Sequence, residues 1–436
     1  MVRKTLVAAF RGVMRLYFRD IERVGAAPTA STRGRVFVAN HYNALIDPIL
    51  VLTDAACEIS PIAKSTLWNI PGLKWLLDRA GAVPIVRRKD APDKDASSND
   101  AMFDKIAGHL AGGGNILIFP EGTSHSEPHL APLRSGAARM LAAAQQAGAD
   151  ATYQAVGLEF DARDDFRSRA LILWGPVRRF DDLGGDVEAR VRAATDQMDA
   201  DLRELLVEGD THDERTLVAR VAEMLANDAG DGSLEGWNTI GRQVELAGKT
   251  LRGLGADVVA QVAERVNAYY AELERLGVRD AQVTDAVSAP PAGGHPGDGH
   301  DAGARRLRRL RRIALAPLAL SGIALYALPY FIPRLVARKT DHDSVSTVKL
   351  GVALLVYPVW MAGLVGASLA LLPPPLSFGA AAISVASPFA ALDWLDAYWA
   401  RDHHTPTAGE LAALARLRVS ARTAIDDARA RLANAS

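Results

Sequence analysis

Residues 36–51 read VFVANHYNALIDPILV. The four apolar residues from Val36 to Ala39 show no helical period, and Asn40 and His41 end the run. Such a run reads as a short buried strand. After a loop, Asp47 and Pro48 open a second apolar stretch, with proline where a helix tolerates it, in the first turn. The segment is therefore a strand that hands its last residues to a loop leading into a helix. The same texture recurs further along. RVFVAN (35–40), GAVPIVRR (81–88), NILIFPEGT (115–123), QAVGLEF (154–160) and ALILWG (170–175) are short apolar runs bounded by turns. Helix-like stretches at Ala101–Leu110 and Ser135–Ala147 lie between them. Strand alternating with helix over residues 35–180 predicts an α/β domain built on a largely buried sheet.

The whole chain has 436 residues, 49% hydrophobic and 23% charged, with a formal net charge of -1. That composition excludes a disordered chain, and the length exceeds what one core usually covers. A near-neutral chain has no global field to hold nucleic acid, so no nucleic-acid partner is expected. The single cysteine, Cys57, excludes an intramolecular disulfide and any Cys-based metal cluster, and no metal site is expected.

Residues 1–30 read as a basic amphipathic helix, with Leu6, Val7, Phe10, Val13, Met14 and Tyr17 set among Lys and Arg. It suits a core helix and a membrane-surface helix equally, and it lacks the apolar core and cleavage site of a signal peptide. Residues 31–210 form the α/β domain. Residues 211–287, rich in Ala, Leu, Glu and Arg, form a helical region. Residues 288–304, SAPPAGGHPGDGHDAGA, read as a disordered linker in which His295 and His300 hold nothing specific.

Residues 305–400 form a membrane region. Six arginines lie between Arg305 and Arg312, and charge-free runs follow at 313–333, 350–372 and 376–392, with lengths of 21, 23 and 17 residues. Roughly 20 helical residues cross the hydrocarbon core. Positive charge before the first run and after it, at Arg334, Arg338, Lys339 and Lys349, puts both of its ends in the cytoplasm, and Pro317, Pro329 and Pro333 suit a bent or re-entrant segment. Runs two and three then form a hairpin turned by Pro373, Pro374 and Pro375. Residues 401–436 read as a soluble C-terminal helix.

In NHYNALID, a His and an acid at the end of one strand can face each other, and the carboxylate then fixes the tautomer that leaves a ring nitrogen free to take a proton. Taken alone the spacing also fits an N-capping Asp beside a structural His. No G-x-S-x-G elbow accompanies the pair, so the attacking hydroxyl is expected from the substrate. A second segment, GNILIFPEGTSHSEPHLAPLRSGAARM (114–140), runs from a strand into the tight turn Pro120–Ser124 and on to a helix start that offers Arg134, Ser135 and Gly136, a setting suited to phosphate. Between them, GAVPIVRR brings Arg87 and Arg88 to a strand's carboxyl end, where open α/β sheets bind ligands.

With these blocks in order, the sequence resembles the glycerolipid acyltransferase superfamily, which includes glycerol-3-phosphate and 1-acyl-glycerol-3-phosphate acyltransferases. The resemblance rests on NHYNALID, on Gly81 to Arg87, on FPEGTS (119–124) and on AVGLEF (155–160), and it covers roughly residues 15–210. AKSTLWNIPGLKWLLDRAG (63–81) is similar to the family's connection between the first two blocks. Two departures stand out. The family's common spacing is four residues between His and acid, whereas five separate His41 from Asp47; this is similar to the fungal-type glycerol-3-phosphate and dihydroxyacetone-phosphate acyltransferases. Many lysophosphatidic acid enzymes carry Arg after E-G-T, where this chain has Ser124.

The resemblance implies an α/β acyltransferase domain with a central sheet wrapped by helices, followed by a helical region and C-terminal transmembrane helices. It implies transfer of a fatty acyl group to a glycerol-phosphate hydroxyl in phospholipid biosynthesis, with acyl-CoA or acyl carrier protein as co-substrate and no cofactor. His41 and Asp47 are the implied catalytic pair, and Arg87, Glu121, Gly122, Thr123 and Asn40 the implied substrate-binding residues, with Lys64 and Arg88 as lesser candidates. Expected partners are the glycerol-phosphate acceptor, the acyl thioester, the bilayer and acyl carrier protein. The expected location is the cell membrane, multi-pass, with the catalytic domain on the cytoplasmic face. The alternatives are a lysophosphatidic acid or lysophospholipid acyltransferase and, outside enzymes, a membrane-anchored lipid-binding scaffold with a degenerate site.

Overall fold

The computed structural model describes residues 2–29, 33–70, 72–86, 100–288, 298–340, 345–399 and 406–435. They divide into two compact units, Met1–Ala222 with Asp231–Leu246, and Glu223–Gly230 with Ala247–Ser436. The division does not fall at residue 210. Backbone and side-chain bonds hold the following helices to the first unit: Asn238 Nδ2 donates to Leu205 O at 3.0 Å, Trp237 Nε1 to Ala219 O at 3.2 Å, and the Leu234 amide to Glu22 at 2.9 Å.

The first unit runs α1 (Val2–Tyr17), β1 (Asp20–Val24), β2 (Arg35–Ala39), α2 (Ile46–Asp54), β3 (Ser60–Lys64), a 3₁₀ turn (Ser65–Asn69), α3 (Leu73–Ala80), β4 (Val83–Ile85), α4 (Asp100–Ala111), β5 (Asn115–Ile118), α5 (Gly136–Gln146), β6 (Thr152–Phe160), β7 (Arg169–Arg179) and α6 (Val187–Arg203). The strands make one sheet in the order β1-β7-β6-β2-β5-β3-β4. All pairs are parallel except β6 with β7. The carboxyl ends of β2, β3, β4, β5 and β6 therefore share one edge, and the register Phe160↔Ala170 brings the start of β7 to that same edge. Alternation along β2 explains the layers. Val36 and Val38 face a core shared with Ile116, Leu141 and Met198, while Phe37 points the other way and meets Trp174 edge-on at 5.7 Å. This is the α/β architecture that the sequence predicts, a seven-stranded sheet flanked by helices.

Two strands have no counterpart in the sequence reading. The N-terminal helix, expected to fill residues 1–30, stops at Tyr17 because Met14, Tyr17 and Phe18 turn into the core, and the Arg19 amide then bonds Ser168 O at 2.8 Å to open the β1–β7 ladder. DIERV, with its charges, is an edge strand. β3 hides behind Pro61, which argues against a strand from sequence; only Ser60 and Pro61 pair with β5, and Ile62–Lys64 pair with β4.

Helices α7 (His212–Asp228) and α8 (Leu234–Leu254) follow, then α9 (Ala256–Leu276), α10 (Asp280–Ser288), α11 (Asp298–Ala337), α12 (Val345–Leu371), α13 (Leu376–Trp399) and α14 (Ala408–Ala435). In the expected linker, residues 289–297 lie outside the described residues, but 298–304 already belong to α11. Ile313–Ala337, Val345–Leu371 and Leu376–Asp396 are long and apolar enough to cross a membrane. α11 runs unbroken past Pro317, Pro329 and Pro333, so a bend that ends the helix there is not found. It touches α13 closely: a Cβ on Gly322 would clash with Ser387 O, and Tyr326 Oη donates to Ser384 O at 2.8 Å.

The second unit also holds a buried ionic knot. Asp280, 1% exposed at the start of α10, accepts from Arg418 Nε of α14 at 2.8 Å, from Tyr269 Oη at 2.7 Å and from Asn227 Nδ2 at 2.8 Å. Burial alone would raise its carboxyl, but the bonds from Arg418, Asn227 and Tyr269 outweigh it and hold the group below the ordinary range. Arg418→Ala strands this charge and should cost about 3–5 kcal/mol in denaturant unfolding of the detergent-solubilised chain. Because the native carboxyl is depressed, its contribution is present above the unfolded value near 3.9 and is lost as pH falls through the native one. Wild type should therefore weaken with acid more steeply than Arg418→Ala.

Candidate active site

The site is built where β2 and β5 end. Past Ala39 the β2 ladder is prolonged by a side chain: Asn40 Nδ2 donates to Leu158 O at 3.0 Å, and Asn40 Oδ1 accepts from the Leu158 amide at 2.8 Å. Asn40, expected at the substrate, is fully buried and ties strand end to strand end. His41 is thereby fixed at the mouth of the sheet. Its ring stacks on Phe119, with centroids 4.1 Å apart and planes inclined by 21°.

Asp47 sits in the first turn of α2 and is completely buried. Its Oδ2 lies 3.0 Å from His41 Nδ1 and accepts from the Asn43 amide at 2.7 Å. Burial pushes the Asp47 carboxyl up, against the hydrogen bonds from His41 and Asn43. With Nδ1 given to Asp47, Nε2 is the nitrogen able to take a proton. Among the described residues no Ser hydroxyl or Cys thiol is hydrogen-bonded to His41. The structure thus brings together the two residues that the sequence pairs.

Glu121, expected at the acceptor, lies in the tight turn after β5. Its side chain is buried, and both oxygens face inward. Oε1 accepts from the His41 amide at 2.6 Å, while Oε2 accepts from the Ala131 amide at 2.9 Å and pairs with His125 Nε2. The carboxylate is a strut between the His41 backbone and the loop after β5. Gly122 has φ +80° and its amide closes the turn onto Phe119 O at 3.0 Å, so that N–H is already engaged. A Cβ there would lie 2.9 Å from Arg134 Nε, so glycine is required both by conformation and by the guanidinium lying over it. Thr123 is exposed at the outer side of the turn, its hydroxyl donating to Ser124 O at 3.3 Å.

Arg87 and Arg88 lie outside the described residues. Lys64 closes β3 at the same sheet edge. One residue joins the site that the sequence reading did not assign: His125 pairs with Glu121 and meets Tyr42 edge-on at 5.6 Å. Arg134, which the sequence offers before α5, covers Gly122. His125 follows the FPEGTS block directly; a histidine four residues past the acid of that block was the available signal. Among the described residues no cluster of His, Cys, Asp or Glu could hold a metal ion.

Residues 19–156, which carry every one of these groups, match the family model described as Acyltransferase. This stretch is an acyltransferase domain. The domain is similar over 81 residues, at 38% identity, to glycerol-3-phosphate O-acyltransferase 2 of Saccharomyces cerevisiae, covering 18% of this chain and 11% of that protein. It is similar over 121 residues, at 27% identity, to the chloroplastic 1-acyl-sn-glycerol-3-phosphate acyltransferase BAT2 of Brassica napus, covering 28% of this chain and 33% of that protein. The chain thus spans about a tenth and a third of the length of these two relatives. A solved structure, the 1-acyl-sn-glycerophosphate (LPA) acyltransferase PlsC from Thermotoga maritima, is 16% identical with a TM-score of 0.31, over 45% of this chain and 81% of that one.

In the acyltransferase domain, Glu121→Gln keeps the size of the strut but loses one acceptor. Leaving the His41 or Ala131 amide unpaired should cost about 1–3 kcal/mol. Steady-state kinetics should show kcat falling with the acceptor KM nearly unchanged. A rise in KM alone would return Glu121 to the acceptor.

Proposed function

We propose that this chain is a membrane-bound O-acyltransferase that moves a fatty acyl group from a thioester of CoA or acyl carrier protein to a hydroxyl of glycerol-3-phosphate or a related glycerophosphate. The observation that carries this reading is the 3.0 Å pair of His41 Nδ1 with the buried Asp47, inside an acyltransferase domain and, among the described residues, without a protein nucleophile on the ring. His41 Nε2 takes the proton of the acceptor hydroxyl as its oxygen attacks the thioester carbonyl; Asp47 holds the ring and stabilises the imidazolium. The tetrahedral oxyanion then expels the thiolate, which receives the proton from His41.

The amides of His41, Asn43 and Gly122 are engaged, which leaves those of Thr123 and Ser124, on the exposed side of the turn, as oxyanion donors. Arg134 over Gly122, with Arg87 by resemblance, supplies the positive charge for the acceptor phosphate. His41→Ala should lower acyl transfer by about 10²–10⁴-fold and Asp47→Asn by a similar factor, with folding intact by circular dichroism. Wild-type turnover in His41→Ala would end this mechanism. Labelled products from glycerol-3-phosphate, dihydroxyacetone phosphate and lysophosphatidic acid, each with one acyl-CoA, separate the acceptors.

The site is assigned to the cytoplasmic face of the cell membrane. Asp280 of α10 and Arg418 of α14 are hydrogen-bonded to each other, and all three apolar helices lie between them in the chain. Both ends of that region must then lie on one side of the bilayer, which requires an even number of crossings. The arginines before the apolar run of α11 put that side in the cytoplasm. A cysteine placed at Ala408 should resist an impermeant thiol reagent added outside intact cells. Labelling of it from outside would overturn this topology.

A further inference from the structure

The connection from β3 to β4 leaves an apolar surface that no part of the reaction uses. Beyond the carboxyl end of β3, the 3₁₀ turn and the first turns of α3 expose Ile70 by 47% and Trp75 by 55%. Trp68, half-buried in the same connection, is tied to α3, its Nε1 donating to Asp78 Oδ1 at 2.8 Å. The charges around them are sorted. Asp78, the acid of this face, is held by Trp68 and by Lys74 Nζ at 3.0 Å, and the hydrogen bond from Trp68 first, then that from Lys74, holds its carboxyl below the ordinary range. Arg79 lies over the Trp75 ring at 5.5 Å. The exposed face is thus apolar and indole-rich, with a cationic rim.

We infer that Trp68, Ile70 and Trp75 seat the catalytic domain on an anionic bilayer surface, with Lys74 and Arg79 meeting the headgroups. Indoles favour the headgroup level because one end of the ring is apolar and the other can hydrogen-bond, and basic residues are drawn to anionic lipid. The rim matches the charge of that surface. The placement matches as well, since β3 ends at the same sheet edge as β2 and β5, which carry His41 and Glu121. Membrane seated there lies at the edge where an acyl chain enters and a lipid product leaves. That consequence rests on the proposed acyl transfer; the seating does not.

The test uses the full chain in vesicles of phosphatidylcholine with and without phosphatidylglycerol. In a Cys57→Ser background, a fluorophore is attached at Trp75→Cys, and as control at Glu188→Cys, exposed beyond the opposite edge of the sheet where β7 ends. Spin-labelled lipid should quench the label at 75 and leave the label at 188 bright, aqueous iodide should do the reverse, and omitting phosphatidylglycerol should weaken the lipid quenching. Equal iodide access at both positions would overturn the inference. So would shielding of position 75 that depends on protein concentration without lipid quenching, since that is the mark of a second copy.

Turnover plays no part in this readout, so it stands apart from the acyltransferase reading. In a second measurement, Ile70→Glu with Trp75→Glu should lower transfer of a long-chain thioester into vesicles about tenfold, while transfer of a short-chain thioester in detergent is kept. Equal loss in both assays would count against a membrane seat.

Discussion

One buried carboxylate holds the site's geometry. Glu121 lies in the turn after β5, and it bonds the backbone of His41, two residues past β2, and the backbone of the loop that leads to α5. Without it, the His41 amide would lose its acceptor. The constraint is electrostatic as well as geometric, because a buried carboxylate must be given donors and here each donor is a piece of the site. Asn40 does the same work on the opposite flank by acting as one more rung of the β2–β6 ladder. His41 is therefore held from both neighbouring strands before Asp47 acts on it.

Much of this was legible in the sequence because it is local. The distance from His41 to Asp47 along the chain is short, and a strand end followed by a helix start leaves few ways for the two side chains to avoid each other. The apolar runs that became β2, β5, β6 and β7 announce themselves because parallel and central strands are covered on both faces. What could not be read is non-local. Glu121 and Asn40 look like ligands in the sequence, being polar residues beside a catalytic pair; their partners, Ala131 and Leu158, are main-chain groups that any residue type would supply. β1 and β3 failed for a related reason. DIERV carries three charges in five residues and SPIAK carries a proline, and only the neighbours β7, β5 and β4 make strands of them.

The membrane region divides along the same line. Its apolar lengths are a property of composition, and the three runs seen in the sequence lie within α11, α12 and α13 or overrun them by a residue. The continuity of α11 through three prolines depends instead on helices lying against it, close enough at Gly322 that no side chain fits. In the same unit, the joining of α10 to α14 through Asp280 and Arg418 spans 138 residues of sequence, a separation that no pattern within either helix could reveal.

The edge strand β1 has a consequence for how the chain is made. Its residues are made before those of the other strands in this sheet, yet it pairs with β7, at Arg169 to Leu173, the last strand of the sheet to be synthesised. Until then its row of amides and carbonyls has nothing to bond, and contacts so distant in sequence are slow to form. The acidic and basic side chains of DIERV keep that waiting segment soluble and unattractive to other strands. The sheet that carries His41 is thus closed from its beginning by its end, and its flank stays unsealed until the residues from Arg169 to Leu173 are made.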